Sequence, residues 1–334
     1  MMRQKQKYTI LLILVVLILG ACEKNVDIDI EVIDPMIVMN GVLQVDSTVV
    51  IYLSRTRHIL DNSEINVLTN ATVHITDSEG NSEQLVYGTG QLYRTDQMFI
   101  ESGKEYTITA SAPGYNDAEG TCIIPETVPV VKFDTSTIVN EWGEKMIAFE
   151  VVFDDPAGVE NFYMLSIRSQ VEYANTQYMY YEDTLYVDQE KDTVVVGYVR
   201  DSVVFRDVQN QSVWFESEDL AIEQYDYRTN RIIFSDRLFN GRRYSVKGIF
   251  NTWFLYGASD TAIVDIHLQS IDNHYFKYIN SRVDHYYAKS DPFAVPVVVH
   301  NNIQNGLGIL GGMSSETTTI KLAPLNYEWN FPYY

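Results

Sequence analysis

The sequence predicts a mainly β protein. An N-terminal Ig-like or prealbumin-like β-sandwich is followed by a larger antiparallel β-sandwich domain with one amphipathic helix. Three observations predict it. Apolar residues alternate at period two in short runs along most of the chain, turn signals rich in Gly, Pro, Asn and Asp separate the runs, and one segment between residues 270 and 289 has helical period. Of the 334 residues, 46% are hydrophobic and 21% charged, which suits buried cores and excludes a disordered or polytopic membrane chain. The 24 Lys+Arg against 45 Asp+Glu give a net charge of -21. Phosphate neutralisation needs basic patches, so a nucleic-acid partner is excluded. Tyr is abundant, 24 beside 14 Phe and 4 Trp, a composition that suits exposed β-rich binding surfaces.

Residues 1–21 read as a lipoprotein signal peptide. Arg3, Lys5 and Lys7 precede the apolar run Ile10–Leu19, about ten residues long, which is too short to span a bilayer and suits a signal-peptide core. Leu19-Gly20-Ala21-Cys22 then places small residues before a cysteine, so cleavage and lipidation are expected at Cys22. An ordinary signal peptide or anchor that happens to contain a cysteine is the alternative. Removing residues 1–21 leaves 21 basic against 45 acidic residues, so attachment comes from acyl chains and not from headgroup attraction. With Cys22 lipidated, Cys122 has no intrachain partner, and its apolar strand Thr121–Ile124 makes it a small core residue.

Residues 22–35 form the lipid anchor and a leading strand, since Val26–Val32 alternates apolar and acidic. The first sandwich, 36–127, carries strands at Met36–Leu43, Val49–Ser54, Ala71–Thr76, Gln84–Tyr87, Tyr106–Ala110 and Gly120–Ile124. Pro125 to Pro129 read as a linker. The larger domain, 128–334, has strands at Lys145–Phe153, Phe162–Arg168, Val213–Glu216, Arg231–Phe234, Arg243–Phe250 and Ala262–Ser270. Its variable insertion, 169–230, holds a Tyr-rich acidic stretch read as a hairpin or long loops. Ser270 is the expected N-cap of the helix, Asp272 suits its dipole, and Tyr275, Ile279, Val283 and Tyr286 share one stripe that covers an open sheet face or edge. A strand at Pro296–His300, a turn at Asn305-Gly306 and a last strand at Thr317–Ala323 complete the chain.

The motifs that carry chemistry are few. Gly306-Leu307-Gly308-Ile309-Leu310-Gly311 spells G-x-G-x-x-G, but it lacks the strand-to-helix context of a dinucleotide site and reads as a glycine-rich hairpin or bulge. His274 and His285 lie about 16 Å apart on the helix, so they do not share a metal, and no zinc spacing occurs. Asp154-Asp155 before Pro156 suits a turn, with a Ca²⁺ loop as the alternative. No nucleophile elbow or triad context is present, so no catalytic residue, cofactor or metal is expected. The candidate ligand surface is Tyr173, Tyr178, Tyr180, Tyr181 and Tyr186; the alternative places these side chains in a core or in cross-strand pairs.

Cys22-Glu23-Lys24, Val26–Ile30, Met36–Gly41, Ser102–Tyr106, Phe153–Gly158 with Asn161–Tyr163, Phe234–Asp236 with Phe239–Gly241, Ser270–Tyr278, and Pro292–Ala294 running into Asn302–Gly308 carry a resemblance. By these residues the chain resembles a Bacteroidetes lipoprotein family catalogued as domain of unknown function 4249. The middle, 169–230, matches least. The resemblance implies an outer-membrane lipoprotein encoded beside TonB-dependent transporters and carries over no catalytic residue. The expected function is therefore a non-enzymatic outer-membrane lipoprotein, an accessory or ligand-capture partner of a TonB-dependent β-barrel transporter. The alternative is a stand-alone surface adhesin or glycan-binding protein with a glycan or peptide ligand. Asp27, Asp29 and Glu31 after Cys22 favour the cell surface over the periplasm. In such hosts Asp-Ser/Thr pairs accept O-glycans, which marks Thr184, Thr193 and Ser202 in the insertion.

Overall fold

The computed structural model describes residues 34–58, 61, 63–188 and 193–325, without the side chains of 178–201. Cys22, the Val26–Val32 alternation and the aromatic C-terminal tail lie outside the described residues. Every described element belongs to one compact unit, Pro35–Arg57 with Asn62–Tyr334. Its elements begin with β1 (Ile37–Gln44), β2 (Thr48–Arg55), β3 (Thr72–Asp77), β4 (Ser82–Gly88), β5 (Leu92–Phe99), β6 (Glu105–Ser111) and β7 (Ala118–Ile123). There follow β8 (Val130–Val139), β9 (Lys145–Asp154), β10 (Phe162–Asp188), β11 (Thr193–Ser212), β12 (Phe215–Glu216), β13 (Ile222–Asp226), β14 (Arg231–Ser235) and β15 (Arg243–Asn251). The last are β16 (Ala262–Ile271), helix α1 (Asn273–Ser290), β17 (Ile303–Gln304) and β18 (Gly306–Leu322). The fold is mainly β with sandwich packing and, among the described residues, one α-helix.

A fourteen-stranded path runs β13-β14-β10-β16-β18-β1-β2-β5-β4-β3-β6-β7-β17, with β11 on β10, and a second sheet runs β12-β15-β9-β8. The long path folds back on itself. Alternate residues of β1 and β2 (Ile37, Met39, Ile51, Leu53) share a core with Val73, Ile75, Ile108 and Cys122 of the returning strands. The second core lies between the two sheets, where Phe149, Phe153 and Phe250 meet Tyr163, Leu165, Phe234 and Leu268. A third, smaller core seats α1 on the outer face of β10, β14 and β16 through Phe276, Ile279 and Val283 against Phe162, Met164, Ile233 and Ile271. The helix thus covers an open sheet face. Burying apolar side chains at such interfaces, roughly 1.5–3 kcal/mol each, is what holds the layers together.

Several expectations are corrected. The helix N-cap is Asp272, whose Oδ1 accepts the Tyr275 N–H at 2.6 Å, while Ser270 remains in β16. The buried stripe includes Phe276, and Tyr286 is exposed, carrying Arg228 over its ring. No strand forms at 296–300; that segment runs beside α1. The strands missing from the sequence reading include β5 and β8, whose alternation is weak for a physical reason. On β5 the core positions include Thr95, whose hydroxyl accepts the Val49 N–H and donates to Met98 O, and β8 is an edge strand with most side chains exposed.

The largest correction concerns the glycine-rich run. Gly306–Gly311 is neither hairpin nor bulge but the start of β18, which pairs in parallel with β1 from Ile37↔Gly306 to Gln44↔Met313. Beyond Met313 the same strand pairs antiparallel with β16. The first core therefore contains Ile303 and Leu310 from the C-terminal segment. Gly308 (φ 122) explains the glycine requirement, since a Cβ there would lie 2.0 Å from Met39 O.

Candidate functional site: the two-stranded ribbon and its flanks

From Arg168↔Ser212 to Asp188↔Thr193, β10 and β11 pair as an antiparallel ribbon, with one irregularity between Thr184 and Tyr186. At about 3.3 Å per residue its 21 positions on β10 extend roughly 69 Å. The root is fixed. Phe162–Gln170 also pair with β16, Tyr173 bridges to Ala258 and donates its hydroxyl to Phe254 O at 2.7 Å, and Arg206 pairs with Glu172 at 2.8 Å. Beyond Tyr173, among the described residues, β10 has only β11 as a neighbour. On β11 the consecutive Val203, Val204 and Phe205, then Val208, are 38%, 54%, 54% and 49% exposed. Side chains alternate across a strand, so apolar surface is open on both faces of the ribbon. The segment 168–212 carries eight carboxylates against four cations, so this surface is also acidic.

The candidate tyrosines do not converge on one pocket. Tyr173 belongs to the root and packs against the second core. Tyr178, Tyr180, Tyr181 and Tyr186 follow along β10 opposite Ser202, Arg200, Val199 and Val195, and their side chains lie outside the described residues. From Tyr173 to Tyr186 the strand advances thirteen residues, about 43 Å. Thr184, Thr193 and exposed Ser202 are likewise ribbon residues, in strands where the sequence reading allowed loops.

Asp154 and Asp155 are occupied by protein donors. Asp154 is gripped by Arg243 through Nε at 2.7 Å and Nη2 at 2.9 Å. Buried Asp155 accepts the Tyr163 hydroxyl at 2.5 Å and the Gly241 N–H at 2.7 Å. Beside it, Asp236 Oδ2 accepts the Asn161 N–H at 3.0 Å and Asn240 Nδ2 at 2.9 Å. Burial raises the carboxyl pKa of Asp236 and pushes the Tyr163 phenol up strongly. The motif residues around 155, 161, 236 and 240 thus knit one end of the second sandwich together. Cys122 is a buried core thiol with its pKa pushed well up by burial. His274 does not face His285. Its Nδ1 meets His300 Nε2 at 3.0 Å, and burial lowers both imidazoles. No group of three or more His, Cys, Asp or Glu suited to a metal ion occurs among the described residues.

Two surfaces escaped the sequence reading. The segment after α1 is tied to the helix by His285 Nδ1 to Val297 O at 2.7 Å and by the His300 N–H to Ser281 Oγ at 2.8 Å, leaving Phe293, Val295 and Val298 exposed. On the outer face of the four-stranded sheet, a groove of ≈ 570 Å³ is lined by Asp134, Glu150, Glu216 and Glu218 with Lys247. There Glu150 is held below the usual carboxylate range by the Ser245 hydroxyl and Lys247. The first of these falls where a strand was expected at Pro296–His300, and nothing in period or spacing signalled the second.

No described helix is long and apolar enough to cross a membrane, which leaves strand-spanning proteins unaddressed. A family model described as "Domain of unknown function (DUF4249)" matches residues 23–319. No curated protein matches the chain. Among solved structures, the full-length major pilin SpaD from Corynebacterium diphtheriae aligns at 9% identity and a TM-score of 0.17. That alignment covers 73% of this chain and 63% of the pilin, less than two thirds of its length.

Proposed function

For a chain that belongs to the family of domain of unknown function 4249, we propose a non-enzymatic, lipid-anchored outer-membrane protein that docks a partner through its β10–β11 ribbon. The partner is a TonB-dependent β-barrel transporter, for which this protein is an accessory or ligand-capture subunit. One observation carries the reading: a ribbon of about 69 Å with apolar side chains exposed on both faces. A two-stranded ribbon is marginal alone in water, and consecutive exposed apolar residues mark a surface that a partner covers. Lipidation at Cys22 supplies the anchor and holds the protein at the outer face.

Co-purification from mildly solubilised outer membranes of the native host tests this. The reading expects a large β-barrel protein in near-stoichiometric yield; recovery of the lipoprotein alone overturns it. The stand-alone adhesin is the competing outcome, marked by saturable glycan-array binding that is lost in the Tyr178→Ala/Tyr180→Ala variant. Intact mass of the same preparation reports the acyl chains on Cys22 and any glycan at Thr184, Thr193 or Ser202. A glycan there would place that part of the ribbon in solvent and confine docking to the remainder.

A further inference from the structure

We propose that the cavity between α1, β1 and the β13–β14 turn binds a small organic carboxylate, with Arg231 as its anion-recognising group. The cavity has a volume of ≈ 410 Å³, within the range of small-ligand sites. It is lined from four directions: Asn40–Val42 of β1, Asp226 to Arg231 across the turn, Tyr275 to Arg282 of the helix, and Ile309 of β18.

Its charges are unequal in a way that selects an anion. Arg282 is neutralised by Asp226, which is 2% exposed and also accepts the Thr229 hydroxyl at 2.7 Å. Arg231 has no such counter-ion among the described residues. Among the described residues no carboxylate lies within 4.0 Å of its guanidinium, which instead contacts Met164 Sδ at 3.9 Å and the Tyr275 hydroxyl. The lining therefore carries one net positive charge in a chain of net charge -21. A half-buried guanidinium without a carboxylate is a planar fork matched to one carboxylate. A single excess charge suits a monoanion better than a phosphate dianion. The walls beside it, Ile279, Ile309 and the rings of Tyr275 and Tyr278, suit an apolar or aromatic body attached to that carboxylate.

The site is independent of the ribbon and of any transporter, so its failure leaves that reading intact. The test is calorimetric titration of the purified full-length mature protein with phenylacetate, with inorganic phosphate as the second arm. Saturable 1:1 binding of phenylacetate is expected, weakened at least about tenfold in Arg231→Gln, because a charge-assisted hydrogen bond is lost. No saturable phenylacetate binding, or equal binding by Arg231→Gln, overturns the proposal; phosphate binding as tight as phenylacetate overturns the carboxylate class. A readout on the unaltered protein guards against a folding defect in the variant. Phenylglyoxal modification mapped by mass spectrometry should slow at Arg231 when phenylacetate is present and stay constant at exposed Arg242. An unchanged rate at Arg231 contradicts the site.

Discussion

Gly308 shows how one residue fixes a sheet. Its φ of 122 and the 2.0 Å approach of an added Cβ to Met39 O mean that no other residue fits this point of the β1–β18 pair. Gly308→Ala should therefore destabilise the fold by about 3 kcal/mol or more, read as a drop in denaturant midpoint. An unchanged midpoint would mean that the two strands do not meet there. Asp272 offers a second residue-scale prediction. Burial pushes its carboxyl up to about 7 from an ordinary 3.8, and its Oδ2 has no hydrogen-bond partner among the described residues. Between those pH values the folded chain keeps a proton that the unfolded chain has released, so this group's contribution to stability falls as pH rises from about 4 to 7. The slope reaches about 1.4 kcal/mol per pH unit at its steepest. Asp272→Asn retains the cap oxygen and should flatten the profile; an equally sloped profile in the variant would refute the assignment. The tyrosine excess was only partly legible. Tyr93, Tyr106 and Tyr163 are among the largest fully buried side chains, with hydroxyls bonded to Leu68 O, the Glu101 N–H and Asp155. Composition counts these together with the ribbon tyrosines.

At the scale of elements, strong alternation located strands and weak alternation hid them. Lys145–Phe153 and Ala262–Ser270 were legible because every second side chain is buried and, Ser270 apart, apolar. β5 was not, because Thr95 satisfies its hydroxyl inside the core and so breaks the pattern. The helix was legible by period, but its start was not. Asp272 and Ser270 are both good caps, and the choice falls to Asp272 because β16 continues through Ile271. The ribbon is the element whose contribution to stability should be smallest. Replacing residues 174–206 with Asn-Gly joins Tyr173 to its partner Asp207 by a two-residue turn and removes, among the described residues, exposed side chains and one surface ion pair. The unfolding free energy should change by less than about 1 kcal/mol. A large loss would show that the ribbon is a structural part of the second sandwich.

For the whole molecule, β18 is the tie. Residues 306–313 pair with β1 beside the first core, and residues 313–322 pair with β16 beside the second. The parallel partnership of residues 37 and 306 was not legible, since a period-two pattern identifies a strand but not its neighbour. Because one continuous strand serves both sandwiches, calorimetry should record a single cooperative transition; two separated transitions would contradict that coupling. The expected lipidation at Cys22 and the acidic balance belong to the sequence alone, whereas the exposed apolar ribbon emerged only from the pairing of β10 with β11. The most direct test of the account compares intact protein with the 174–206 replacement in pull-downs from solubilised outer membranes, quantified by mass spectrometry. The account predicts a β-barrel transporter with the intact chain and at least about a tenfold loss with the replacement, equivalent to about 1.4 kcal/mol of binding. Equal recovery with both chains, or no barrel with either, would contradict it.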